Sequence, residues 1–123
     1  MNEFEPGDYY VGDLCYVLRD EWDEVCSLTI DEHKCLEGVF KLANGTKFAT
    51  YGTAYGDGVY VDQKNRKYPV DAGLIGCVAV KDLDAKILVE NITLGNVIKF
   101  DKPFDTYSSE GVIVIGNIQI DTN

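Results

Sequence analysis

Few side chains in this 123-residue sequence are of a type that performs chemistry, and their spacing limits what they can do. There are four cysteines, Cys15, Cys26, Cys35 and Cys77, and one histidine, His33. Cys26, His33 and Cys35 offer three soft ligands of the kind zinc takes. No C-x-x-C pair accompanies them, however, and the fourth ligand would have to come from Cys15 or Cys77 in distant segments. Unpaired cysteine is among the most buried residue types, so Cys15, Cys26 and Cys77 read more simply as small core residues, with no metal and no cofactor expected. A Cys-His nucleophile would need His33 beside Cys15, Cys35 or Cys77, which no spacing supports, so no catalytic residue is assigned.

Four aspartates, Asp13, Asp57, Asp62 and Asp71, fall near the ends of expected strands, where two carboxylates could meet for acid-base work or hold a hard cation. The Asp57 to Asp62 stretch lacks the ligand spacing and closing Glu of a calcium loop, and Lys64, Arg66 and Lys67 nearby oppose a cation. The most distinctive segment is Thr53-Ala54-Tyr55-Gly56-Asp57-Gly58-Val59-Tyr60. Two glycines around an aspartate let backbone amides face a ligand, with Tyr55 and Tyr60 offering aromatic faces and Asp57 a carboxylate for a polar edge. Tyr55, Asp57 and Tyr60 are therefore the candidate ligand-binding residues. A Gly/Asp-rich turn leading into a strand, its tyrosines packed on a sheet, accounts for the same residues.

Charge supplies a second candidate. The 21 acids outnumber 11 bases for a net charge of -10, and residues 1–37 hold eleven acids against only Arg19 and Lys34. Nine of the ten excess negatives thus belong to one end of the chain. This excludes nucleic-acid binding by overall charge, which requires cations to displace counterions from phosphate. It makes Glu21, Asp23 and Glu24 candidate partner-binding residues for a basic protein, though an acidic face that merely keeps a small protein soluble accounts for the same charge. No 18-residue apolar run would span a membrane, and the acidic opening residues lack the features of a secretory signal, so a cytoplasmic protein is expected.

The elements that must position these residues are mostly strands. Tyr9 to Val11 and Leu14 to Leu18 read as a bent strand or two short ones. Asp20 reads as the N-cap of a single helix whose stripe is Trp22, Val25, Cys26 and Thr29. Residues 38–42 and 47–51 flank Asn44-Gly45, the strongest short hairpin signal, for which both turn residues are expected at positive φ. A second hairpin pairs 58–62 with 67–71, and Pro69, which lacks an amide hydrogen, puts its strand at an edge or kinks it. The apolar run Leu74 to Val80 suits a central strand covered on both faces. Further strands fit 86–90, 97–100 and 112–115, the last continuing past a bulge at Gly116 into Ile118 to Ile120. Together these describe one domain over 1–123, mainly β: an antiparallel sandwich or barrel of about eight strands with one short N-terminal helix.

Phe48-Ala49-Thr50, the Thr53 to Tyr60 run and Val70-Asp71-Ala72-Gly73-Leu74-Ile75-Gly76 together resemble a set of small uncharacterised proteins from bacteria and their phages. Val11 to Val17 with Trp22, and Gly111-Val112-Ile113 with Ile120-Asp121-Thr122, are similar to the two ends of those proteins, so the likeness spans most of the chain. The Gly-Asp-Gly-x-Tyr element is also similar to one in a broader bacterial domain family of unknown function. The resemblance implies a compact β-rich protein of phage or mobile-element origin and brings no catalytic role. The functional expectation is a non-enzymatic interaction protein, of inhibitor or decoy type, that sets its acidic N-terminal surface against a basic protein. The alternative is a small-ligand or minor hydrolytic site at the Tyr55-Gly56-Asp57-Gly58-Tyr60 loop.

Overall fold

A computed structural model describes residues 3–31 and 34–123, leaving aside the side chains of residues 31, 34 and 35. The chain opens with β1 (Gly7–Gly12), a 3-10 turn (Leu14–Tyr16) and α1 (Trp22–Thr29), followed by the two-residue pair β2 (Ile30–Asp31) and β3 (Lys34–Cys35). Then come β4 (Gly38–Lys41), β5 (Lys47–Gly52), β6 (Gly58–Val61), β7 (Lys67–Val70) and β8 (Leu74–Ala79). A 3-10 turn (Val80–Asp82), α2 (Ala85–Glu90) and another 3-10 turn (Ile92–Leu94) lead to β9 (Gly95–Phe100). The chain ends in the strands β10 (Thr106–Ser109), β11 (Val112–Ile115) and β12 (Ile118–Asp121).

The fold is mainly β and sandwich-like. Its main sheet has five strands in the order β4-β5-β8-β1-β9, every neighbouring pair antiparallel. It does not close into a barrel, so β4 and β9 are edges. β8 is the central strand, as its unbroken apolar run requires.

Alternation along the strands sends side chains to opposite faces and builds two cores. Tyr9, Val11, Ala49, Tyr51, Ile75 and Cys77 point to one side, where the β10-β11-β12 meander and the β6-β7 hairpin cover them with Ile113, Ile115, Ile118, Ile120 and Tyr68. Tyr10, Phe48 and Val78 point to the other side, where Leu14, Val17, Leu18 and Val25 cover them and Trp22 packs at the margin. Each fully buried side chain of this size contributes roughly 1.5–3 kcal/mol. Tyr10 lies across the cross-strand pair Gly12↔Gly95, and a Cβ on Gly95 would stand 2.4 Å from its ring. Glycine at 95 is what admits the aromatic ring.

The hairpins β4-β5 and β6-β7 form as their turn residues direct, and Pro69 lies on a strand that pairs only with β6. In the first turn only Gly45 takes a positive φ, +96, while the Asn44 side chain accepts from the Thr46 amide. The loop is thus a turn closed by one left-handed glycine, because the Asn44 carboxamide does the work assigned to a second positive φ.

Four expectations need correcting, and one strand is new. Leu14 to Leu18 is not a strand: the Asp13 carboxylate accepts from the Cys15 amide at 3.0 Å and turns the chain into a 3-10 turn, burying Leu14, Val17 and Leu18 at helical spacing. α1 is capped by Glu21 rather than Asp20, with no side-chain hydrogen bond at the cap. Residues 86–90 form a second helix, because Asp84 accepts from the amides of Lys86 and Ile87 and sets α2 going despite its β-branched residues. Gly116 is the first residue of a tight turn joining β11 to β12, with φ +59, and not a bulge within one strand. β10, which no expectation included, pairs with β11 through Glu110-Gly111, both at positive φ as a type I′ turn demands.

Candidate functional sites

The Thr53 to Tyr60 loop is fastened from beneath. The Thr53 amide donates to the Gly73 carbonyl at 3.0 Å and the Ala54 amide to the Thr122 hydroxyl at 2.9 Å. Within the loop, the hydroxyls of Thr53 and Tyr60 both donate to the Gly56 carbonyl, at 2.6 and 2.9 Å, and Gly56 takes φ +77. Tyr60 is therefore a strut: its ring is half-buried against the core and its hydroxyl is committed to the loop. Tyr55 is 75% exposed and Asp57 is exposed, so the hydrogen-bonded loop presents an aromatic ring and a carboxylate to solvent. The three candidate residues share one loop, but only Tyr55 and Asp57 are free to meet a ligand.

The four aspartates separate into two kinds. Asp57 and Asp71 are exposed, whereas Asp13 and Asp62 are buried and saturated with donors. Asp13 accepts from the amides of Cys15, Asp71 and Ala72 at 3.0, 2.8 and 2.6 Å, fastening the end of β1 to the turn between β7 and β8. Asp13 and Asp71 do come together, but through a backbone amide and not as paired carboxylates. Asp62 accepts from the amides of Lys64 and Arg66, the Arg66 guanidinium at 2.6 Å and the Tyr68 hydroxyl at 2.7 Å. Burial alone would raise its pKa, yet the hydrogen bonds from Tyr68, Arg66 and Lys64 outweigh that and hold it below the ordinary value of 3.8. Both buried carboxylates shape turns, and their oxygens are already engaged by the chain's own donors.

Cys77 lies in the core, and burial pushes its thiol up to about 12. Cys15 is half-buried; burial first, and then its hydrogen bond to the Asp13 carboxylate, push it up to about 12 as well. Neither is a ready nucleophile near neutral pH. Cys26 is half-buried on α1, while His33 lies outside the described residues, as does the side chain of Cys35. Among the described residues no three His, Cys, Asp or Glu side chains gather as a metal set.

The acids of the N-terminal third disperse in space. Glu24 accepts from the Ala43 amide at 2.7 Å and Glu37 from the Gly52 amide at 2.6 Å, so both are tied to the β4-β5 hairpin. Asp13 is buried. Glu3, Glu5 and Asp8 line a hollow of about 470 Å³ that also receives Lys41, Lys47 and Lys81. What remains at the start of α1 is Asp20, Glu21 and Asp23, whose carboxylates have no hydrogen-bond or ion-pair partner among the described residues. Arg19 beside them reaches instead to Glu90, at 3.9 Å. Glu32 lies outside the described residues, and Asp31 contributes only its backbone. A second hollow, of about 540 Å³, is lined by Lys99, Lys102, Phe104, Tyr107 and Asn117, and neither hollow includes the Thr53 to Tyr60 loop.

Sequence reasoning missed the two buried aspartates as organising residues. For Asp13 the available signal was an aspartate two residues before the Cys15 amide it caps, the spacing of a side-chain turn. The fold and its surfaces define a mainly β, sandwich-like domain with an acidic helix start and an aromatic loop. Compared with protein-family models, with curated proteins and with solved structures, the chain has no match in any of the three. No helix among the described residues is long and apolar enough to cross a membrane.

Proposed function

We propose that this protein is a non-enzymatic interaction module whose acidic surface at the start of α1 binds a basic protein partner, in the manner of an inhibitor or decoy. The observation that carries the reading is the trio Asp20, Glu21 and Asp23, whose carboxylates have no partner among the described residues, next to an arginine already paired elsewhere. Acids in a first turn also favour the helix dipole, but that effect is a few tenths to 1 kcal/mol for each and does not require three. Opposed to Lys and Arg on a partner, the trio steers encounter and fixes orientation. Glu24, held by the Ala43 amide, supports the helix position and is a poorer contact residue than the sequence alone suggested.

The test is affinity capture by the whole chain at low and high salt, compared with a variant carrying Asp20→Lys, Glu21→Lys and Asp23→Lys. A basic protein retained at low salt, released near 1 M salt where the screening length falls to about 3 Å, and not captured by the variant is the expected result. Equal retention by the variant refutes the reading. A second reading, small-ligand binding at the loop, is favoured by the adjacent exposure of Tyr55 and Asp57. In that case Asp57→Ala removes ligand-induced thermal stabilisation while leaving the melting curve of the free protein unchanged.

A further inference from the structure

β9 is the outer strand of the five-stranded sheet, and among the described residues its ladder pairing is with β1. Its outward-facing amides and carbonyls have no backbone partner among the described residues. Six residues is long for an open edge, which natural sheets usually blunt with charges, proline or a covering segment. Here the blunting is slight. Residues 91–100 contain a single charge, Lys99, and the side chain of Asn96 donates to the Lys67 carbonyl of β7. Val97 is 43% exposed on this strand, and the segment leading into it exposes Val89 at 70% and Ile92 at 44%.

We propose that β9 is a self-association edge through which two copies of the chain pair antiparallel about a two-fold axis, joining their main sheets into one. The strand is self-complementary in the register centred on Val97. Val97 then faces Val97 of the second copy, a favourable β-branched pair. Lys99 faces Gly95, so no like charges meet, and within its own chain Lys99 already has Asp8 as its cross-strand neighbour. Length selects this edge over the other, six residues in β9 against four in β4. Two chains of charge -10 also repel one another, a repulsion that salt screens. One strand pair with a few flanking side chains is a small interface, so the dissociation constant expected is on the order of 10⁻⁵ to 10⁻⁴ M.

The experiment is sedimentation equilibrium of the whole chain from about 10 µM to 1 mM, at low and high salt, for the wild type, Val97→Lys and Ile92→Lys. The wild type is expected to dimerise, more tightly as salt screens the mutual repulsion. Val97→Lys should weaken the dimer by about tenfold or more, since it sets lysine against lysine. Ile92→Lys, outside the strand, should weaken it several-fold and serves as the readout if Val97→Lys fails to fold by circular dichroism. Outward amides of β9 should gain exchange protection in the dimer. A monomer throughout the range, or a dimer unchanged by the variants that fold, overturns the proposal. So does protection of β9 only when a different protein is added, which would make the edge a site for a foreign strand. The salt response opposes that of the acidic α1 contact, so either reading can fail while the other stands.

Discussion

Replacing Asp13 with alanine should cost a large part of the protein's stability, although the residue forms no ion pair among the described residues. Its carboxylate accepts from the amides of Cys15, Asp71 and Ala72. Each orphaned donor costs about 1–3 kcal/mol when buried. Asp71 and Ala72 are exposed residues and Cys15 half-buried, so water recovers part of that loss and the lower half of the range applies. Three donors then amount to about 3–6 kcal/mol, against a total of about 5–15 kcal/mol for a domain of this kind. With a urea dependence of roughly 1–2 kcal/mol/M, the midpoint of Trp22 fluorescence unfolding should fall by about 1.5–6 M. Asp13→Asn keeps one acceptor oxygen and should lose about half as much. Asp71→Ala, which removes an exposed side chain but leaves its amide in place, should stay within about 0.5 kcal/mol. An Asp13→Ala midpoint within about 0.5 M of the wild type would refute the view that this carboxylate fastens β1 to the turn before β8.

Gly76→Ala should prevent stable folding or cost at least about 3 kcal/mol by the same unfolding assay, because the added Cβ would stand 1.8 Å from the Ala49 carbonyl oxygen on the neighbouring strand. Glu110→Gly should stabilise the chain by about 1 kcal/mol, raising Tm by a few degrees in calorimetry, because Glu110 holds φ +51 in its turn and glycine occupies that region without strain. In alkali, the thiols of Cys77 and Cys15 ionise at 9.0 when unfolded and at about 12 when folded, so their contribution is complete below pH 9 and is lost as pH rises towards 12. A Cys15→Ser, Cys77→Ala variant should lose stability less steeply in that window, read from unfolding midpoints across pH. At the other extreme, the lowered pKa of Asp62 gives stability that is present above pH 3.8 and lost as pH falls through its folded value, so Asp62→Asn should flatten the acid limb.

Features that rest on local chemistry could be read directly from the residues. Asn44-Gly45 marks a hairpin because the chain there must reverse, and Leu74 to Ala79 marks a covered strand because both faces meet apolar layers. Errors arose where a side chain overrode the pattern. Asp84 turns the β-branched residues of α2 into a helix, and Asp13 turns Leu14 to Leu18 away from the sheet. Both are single hydrogen-bond acceptors whose effect depends on where the following amides go, which propensity does not encode. The acidic surface was legible as a count of charges and not as a place. Glu24 and Glu37 are drawn off by amides 19 and 15 residues away, and such long-range commitments have no local signature. The loop residues were found together, but the use of the Tyr60 hydroxyl within the loop depends on the left-handed turn at Gly56.

The strand order of the main sheet has a consequence for how the chain reaches this state. β1, first in chain order of the main sheet's strands, sits between β8 and β9, with Tyr9 opposite Ala79 and Ile98. It has no sheet partner until some seventy residues later, and its second partner is among the last. The hairpins can close locally within microseconds, but the centre of the sheet must wait for distant segments, whose loop closure is paid before any contact repays it. Folding is therefore expected in milliseconds to seconds, at the slow end for a domain of this length. During synthesis β1 emerges long before the strands that will flank it, carrying Tyr9, Tyr10 and Val11 in the open.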